Sequence, residues 1–267
     1  MRTVQLEHMR PEEIVEQQKK KSIAYLPLGP LEWHTLALPY GTDPMIGHFL
    51  ACRVAEKIGG VVLPPLFLGS DCPRPKEQLE RLGFHDTNQY IVGMDFPKNT
   101  TKSFYLPPEI VSLVLREYVR ILVDMNFRMI ILVNCHGAAT QAKLVQELCA
   151  EFTNKSKTLV IDGMQEIFTA QADPNTSIMG HANISEASLM QYISHEDVDY
   201  STFPSQGKIR YEDYAIVDRC VLFGNVQSDG YVVNDPRNSS RELGQKLMEG
   251  WVEKLSEKIN TLYSNVM

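Results

Sequence analysis

Apolar residues occur along the chain in short runs and in periodic segments, a pattern typical of an α/β protein. Short apolar runs bounded by Gly, Pro or polar residues predict strands. They are residues 23–28, 61–68, 129–133 and 158–162. Segments with helical periodicity or with helix start signals predict helices. They are residues 11–21, 43–58, 107–126, 140–152, 185–194 and 238–262.

The order of these segments predicts a parallel sheet. Strand, loop, helix and strand follow one another over residues 23–68, which is a βαβ unit with a right-handed crossover. Residues 129–133 are all apolar, as expected for a central parallel strand that is covered on both faces.

Two segments lack a clear period. Residues 72–99 are rich in Pro, Gly and charge, and we expect them to cover the site or to meet another subunit. Residues 198–233 are mixed, with strand-like stretches and polar breaks. Neither looks like a linker, and the chain contains no internal repeat. One α/β domain over residues 1–267 is the simplest interpretation.

Composition and charge exclude several classes of protein. The chain has 267 residues, 43% of them hydrophobic, and a net charge of −7 without a basic block. Nucleic acid and anionic membranes are therefore not expected as main partners. No apolar run approaches the roughly 18 to 20 residues of a membrane span. Five cysteines without C-x-x-C spacing predict reduced thiols in a cytoplasmic protein.

The loop after the first predicted strand carries three potential metal ligands. Glu32 and His34 are two residues apart, so an extended chain would present them on the same side. Asp43 follows a Pro-Tyr-Gly turn that can bring it back toward them. Two carboxylates and an imidazole suit zinc, manganese or another divalent ion. An ordinary polar loop after a strand is the alternative.

Further ligand candidates lie at other element boundaries. His136 follows the predicted central strand and precedes Gly137, at the strand end where open α/β sheets place their ligands. His181 and Glu186 flank the start of a predicted helix, so both can face one point. Of the seven histidines, His34, His136 and His181 are those that a strand end or a helix start would present.

Three ordered motifs resemble those of the creatininase (creatinine amidohydrolase) family. The family patterns are E-x-H-G-x-H-L-P-x-x-T-D, N-G-H-G-G-N and H-A-G-x-x-E-T-S, and the similarity covers roughly residues 22–195. The matching residues are Glu32, His34, Leu38, Pro39, Thr42, Asp43, Asn134, His136, Gly137, His181, Ala182, Glu186 and Ser188. The resemblance implies a three-layer α/β/α fold with a central, largely parallel sheet, and often a hexameric assembly.

The resemblance also implies a reaction and a role for each ligand candidate. Glu32 and His136 would hold one divalent ion, His34 and Glu186 the other, and Asp43 would bridge them. The ions would be zinc or manganese. The expected activity is that of a metal-dependent amidohydrolase, which cleaves a C–N bond of a small cyclic amide through a metal-bridging hydroxide. His181 would protonate the leaving nitrogen.

The chain departs from the family patterns at several positions that are expected to face the substrate. Thr35, Ala37, Ala138, Ala139 and Asn183 replace family residues. In creatininase itself a glutamate at the position of Ala138 is a metal ligand, so Glu186 is the candidate here. Two alternatives stay open: a two-metal hydrolase of a lactone or keto-sugar, and a catalytically silent family member that binds metal or a small ligand. The expected partners are a small-molecule substrate and further copies of the chain in a homo-oligomer.

Overall fold

The computed structural model describes residues 2–74, 76, 79, 93–165, 167, 180–218 and 231–265. The strands are β1 (Ile23–Gly29), β2 (Val61–Val62), β3 (Leu66–Phe67), β4 (Met129–Asn134), β5 (Leu159–Asp162), β6 (Gly180–His181) and β7 (Val217–Asp218). The helices are α1 (Pro11–Lys20), α2 (Thr42–Ile58), α3 (Pro108–Asp124), α4 (Ala139–Lys155), α5 (Ile184–Ile193), α6 (Tyr211–Tyr214) and α7 (Arg241–Asn265).

The central sheet is parallel, as predicted. Its strand order is β2-β1-β4-β5. The short strand β3 pairs with the last two residues of β1, which follow the residues that pair with β2. The second predicted strand, residues 61–68 split by Pro64 and Pro65, is present as two short strands. Pro64 and Pro65 separate them, and proline has no N–H to donate to a ladder.

Alternate residues of the two central strands build two separate apolar cores. Tyr25 and Ile131 face one core, together with residues of α2, α5 and α7. Leu26 and Leu132 face the other, together with residues of α3 and α4. Because side chains alternate between the faces of a sheet, helices cover both of them. This confirms the predicted three-layer α/β/α fold.

The remaining predictions match the structure in part. The last helix begins at Arg241 and ends at Asn265. Residues 198–218 contain the short helix α6, and β7 pairs antiparallel with β6. Much of 72–99 and all of 219–230, including Cys220, lie outside the described residues. The four described cysteines are free thiols.

Among the described residues, no helix combines the length and apolar character needed to cross a membrane.

Candidate metal centre

The structure brings all six predicted site residues together at the carboxyl edge of the sheet. They come from the loop after β1, the first turn of α2, the loop after β4, the end of β6 and the first turn of α5. Five are buried, and the side chain of Glu186 is 16% exposed. The six are Glu32, His34, Asp43, His136, His181 and Glu186.

Asp43 lies at the middle of this group. Its Oδ1 is 3.2 Å from Nε2 of His34, and its Oδ2 is 3.1 Å from Nδ1 of His136. Oε2 of Glu32 is 3.2 Å from the same His136 nitrogen, and Oε2 of Glu186 is 3.7 Å from the same His34 nitrogen. Two sets of possible ligands therefore share one carboxylate, and the atoms of each set lie within 4.8 Å of one another.

A glycine at the end of β1 permits this position of Asp43. A Cβ atom at Gly29 would lie 2.9 Å from Cβ of Asp43 and 3.0 Å from Cδ of Pro44. Such contacts are too short for any side chain. The absent side chain lets the start of α2 approach the end of β1, where Glu32 and His34 follow.

Each of the three histidines uses one ring nitrogen to contact a backbone carbonyl. Because a carbonyl oxygen only accepts, that nitrogen donates, and in the neutral ring the other nitrogen presents a lone pair to the carboxylates. Metal-binding histidines are oriented in this way. The contacts are His34 Nδ1 to Glu32 O (3.1 Å), His136 Nε2 to Ser70 O (3.1 Å) and His181 Nε2 to Trp33 O (2.6 Å).

The crowded charges shift the titration of this group. Burial, with the nearby Asp43 carboxylate, raises the pKa of Glu186 to about 7, although His34 lowers it. Burial alone would lower the pKa of His34, but Asp43 and the two glutamates raise it to about 10. Burial and the neighbouring His34 lower the pKa of His181. Without a bound ion, His34 is therefore protonated, and its Nε2 proton lies near three carboxylates.

A divalent cation fits the residues around His34. Three carboxylate oxygens lie within 3.9 Å of its Nε2, yet this nitrogen makes no aligned hydrogen bond to a described residue. A buried polar atom without a hydrogen bond is costly. A bound cation would replace the proton and satisfy the nitrogen, as metal binding commonly does.

A buried amide network supports His136. Asn134 Nδ2 donates to the carbonyl of His136 (3.1 Å), and Gln141 Nε2 donates to Oδ1 of Asn134 (2.7 Å). Gln141 Oε1 accepts from the N–H of Ser70 (2.7 Å), whose carbonyl accepts from His136. These hydrogen bonds form a closed loop that begins and ends at His136, and the loop fixes the orientation of the imidazole ring.

Tyr105 supports Glu32 from another segment. Its hydroxyl donates to Oε1 of Glu32 (2.5 Å) and accepts from the N–H of Met94 (3.0 Å). Sequence reasoning missed Tyr105, Gln141 and Ser70, since no local pattern marks them. Asn134 lies in a family motif, which was the available signal.

Two departures from the family patterns have structural roles in packing and helix capping. Ala37 lies in the apolar core that contains Tyr25 and Ile131. Asn183 caps α5, where its Oδ1 accepts from the N–H groups of Ser185 (2.9 Å) and Glu186 (3.4 Å). Position 37, which was expected to face the substrate, contributes a buried side chain to this core.

Two non-glycine residues of the site have left-handed backbone. Thr35 has φ 67° and Ala182 has φ 51°, and each follows a site histidine. A β-branched residue in this region is an outlier that the surrounding structure must hold in place. Thr35 Oγ1 accepts from the N–H of Ala37 (3.0 Å), which compensates part of the strain.

A family model described as Creatininase: Creatinine amidohydrolase matches residues 7–259. The chain belongs to the creatininase family. The match extends well beyond the three motifs, into α1 and α7.

Solved structures of creatininase share the fold. A manganese form is 19% identical, covers 97% of this chain and 98% of its own, and has a TM-score of 0.65. A variant of zinc–zinc type is 20% identical with 98% of both chains covered and a TM-score of 0.65. A variant complexed with creatine is 19% identical, covers 98% of this chain and 99% of its own, and has a TM-score of 0.65. No curated protein matches this chain.

The left-handed backbone at Thr35 predicts an unusual order of stability between glycine and alanine. A Cβ atom there costs about 1–2 kcal/mol, and glycine loses about 0.5–1 kcal/mol of chain entropy. We expect Thr35→Gly to exceed Thr35→Ala in free energy of unfolding by up to about 1 kcal/mol. Both variants lose the hydroxyl, so denaturant unfolding of the pair isolates the backbone.

Thr261, exposed near the C-terminal end of α7, is the matched control. There Thr261→Gly is expected to be less stable than Thr261→Ala by about 1 kcal/mol, since glycine is a poor helix former. The same order at position 35 would contradict the assignment of strain.

Proposed function

We propose that this protein is a metal-dependent amidohydrolase that holds two divalent ions and cleaves a C–N bond of a small cyclic amide. The position of Asp43 carries the proposal, because its two oxygens face two different histidines at 3.2 and 3.1 Å. A carboxylate between two nitrogen ligands is suited to bridging two cations. Membership of the creatinine amidohydrolase family supports the same reaction class.

The donor atoms favour zinc or manganese. Glu32, Asp43 and His136 would hold one ion, and His34, Asp43 and Glu186 the other. Imidazole nitrogen suits zinc, and carboxylate oxygen suits manganese and zinc. The zinc–zinc and manganese forms of creatininase support this choice of metals.

When bound, two such ions polarise a carbonyl group and lower the pKa of water, which gives a nucleophile at neutral pH. The protein supplies the proton transfer. Nε2 of His181 is held by the carbonyl of Trp33, so Nδ1 faces the centre, 3.8 Å from Oε2 of Glu32. Burial lowers the pKa of His181, so the ring is neutral at pH 7. Its Nδ1 can therefore take a proton from the attacking water and pass it to the leaving nitrogen.

The substrate proposed here is a small molecule other than creatinine. The creatininase structure complexed with creatine supports a ligand of this size. Ala138, half-buried, and Ala139, exposed, replace the Gly and the Asn of the family pattern beside His136. Creatininase itself has a glutamate at the position of Ala138, and without it Glu186 is the carboxylate that completes the ligand set of His34.

We also propose that further copies of the chain cover α3 in a homo-oligomer. One side of α3 packs on the sheet, while another side and the residue after its end expose apolar groups. They are Ile110, Leu113, Tyr118, Ile121 and Met125. Several large apolar side chains exposed on one helix commonly mark an interface.

Elemental analysis of the purified protein tests the ligand assignment. We expect close to two divalent ions per chain, and clear loss of metal in Glu32→Gln and His136→Ala, since each removes a ligand of the same ion. His195→Ala, which alters an exposed imidazole far from the site, is the control. Full metal content in both variants would contradict the assignment of Glu32 and His136 as metal ligands.

A substrate panel tests the reaction class. We expect turnover of cyclic amides, its loss after treatment with a chelator, and its return with zinc or manganese. Turnover of lactones or keto-sugars, without turnover of any cyclic amide, would contradict C–N cleavage. It would favour the alternative, a two-metal hydrolase of a lactone or keto-sugar. Protein that holds its metal and turns over no panel member would be a silent, ligand-binding relative.

Light scattering of the wild type and of Leu113→Glu tests the oligomer. We expect a multimer that dissociates when charge is placed at Leu113, the most exposed apolar residue of the α3 face. Val233→Glu, at another exposed apolar position, is the control. A monomeric wild type would contradict the proposal.

A further inference from the structure

A third set of potential ligands lies beside the two that share Asp43. Oε2 of Glu32 is 3.9 Å from Nε2 of His34 and 3.8 Å from Nδ1 of His181. The centroids of the two imidazole rings are 4.3 Å apart. All three side chains are buried, and their facing atoms lie within 4.8 Å of one another.

We propose that Glu32, His34 and His181 form an alternative position for the ion that His34 holds, with His181 as a direct metal ligand. The inference rests on the proposed two-metal site. It adds a binding position and gives His181 a second role besides proton transfer.

The chemistry of His34 makes the two positions exclusive. Its Nδ1 donates to the carbonyl of Glu32 (3.1 Å), so only Nε2 can bind a metal. A single nitrogen lone pair binds one ion at a time. The ion can lie with Asp43 and Glu186, at 3.2 and 3.7 Å from Nε2, or with Glu32 and His181 on the other side.

The backbone fixes His181 in a ligand orientation. Trp33 O accepts from Nε2 at 2.6 Å, which leaves the lone pair of the neutral ring on Nδ1, toward Glu32. Metal-binding histidines commonly donate their second nitrogen to a backbone carbonyl. The left-handed Ala182 follows at once, and its N–H donates to Oε2 of Glu186 (2.5 Å). This oxygen of Glu186 is thus already partnered before an ion approaches it.

The two positions differ in donor type, so the metal selects between them. Glu32 with two imidazoles is the His₂Glu set that zinc favours in catalytic sites. His34 with Asp43 and Glu186 is richer in oxygen, which suits manganese. An ion bound to His181 also occupies the nitrogen that the proposed mechanism uses for proton transfer. Zinc in this position would therefore lower turnover.

Metal affinities of the chelator-stripped chain test the proposal. Zinc and manganese are titrated against a chromophoric chelator in wild type, His181→Ala, Glu186→Gln and the control His195→Ala. We expect His181→Ala to weaken one zinc site by at least about 100-fold, the upper end of what loss of an outer-shell partner costs. Its manganese affinities should be unchanged. Glu186→Gln should weaken manganese more than zinc.

Cobalt in place of zinc gives a second readout, since its visible absorption reports the ligand set. We expect the spectrum of His181→Ala to differ from that of wild type. His181→Gln keeps an N–H donor for Trp33 O but offers no imidazole, and serves if His181→Ala does not fold. Thermal unfolding of the metal-free variants checks that each is folded.

The outcomes separate this inference from the proposed function. If the wild type binds no divalent ion, the two-metal site itself is wrong. If the wild type binds two ions and His181 variants keep both zinc affinity and cobalt spectrum, the alternative position is overturned and His181 acts in proton transfer alone.

Discussion

The buried carboxylate of Asp43, held between His34 and His136, is the contact on which the site depends. It joins the loop after β1, the start of α2 and the loop after β4, because each supplies one of the three residues. The parallel order of β1 and β4 brings both loops to the same edge of the sheet. Gly29 then lets α2 approach closely enough for its first turn to take part. The packing of β1, β4 and α2 that forms the fold therefore also positions the residues of the site.

Burial of so many charged groups has an electrostatic consequence. Three carboxylates and three imidazoles lie close together with little solvent to stabilise them. In the metal-free protein, the raised pKa of His34 keeps a proton in the space that a cation would take. A bound cation and this proton would compete for the same nitrogen, so acid would favour release of the cation. Strained backbone at Thr35 and Ala182 is a further cost that the surrounding packing supports.

The departures from the family patterns have different physical meanings once their environments are known. Ala37 belongs to the apolar core and says little about the substrate. Asn183 caps α5 and so holds the helix turn that carries Glu186. Thr35 places a β-branched residue in left-handed backbone where the family pattern has glycine. Ala138 carries no carboxylate, whereas creatininase itself has a glutamate at this position.

Sequence by itself determined the strands and helices around the central sheet, the three motifs and the six residues that meet at its edge. These depend on local periodicity and on side-chain types at element ends, which a sequence displays directly. Only tertiary structure decided that Tyr105 and Gln141 support the site and that Ala37 is buried. It also decided that His34 Nε2 faces two ligand sets at once. Such contacts join residues far apart in the chain, and distances between them follow from packing, for which no local pattern exists.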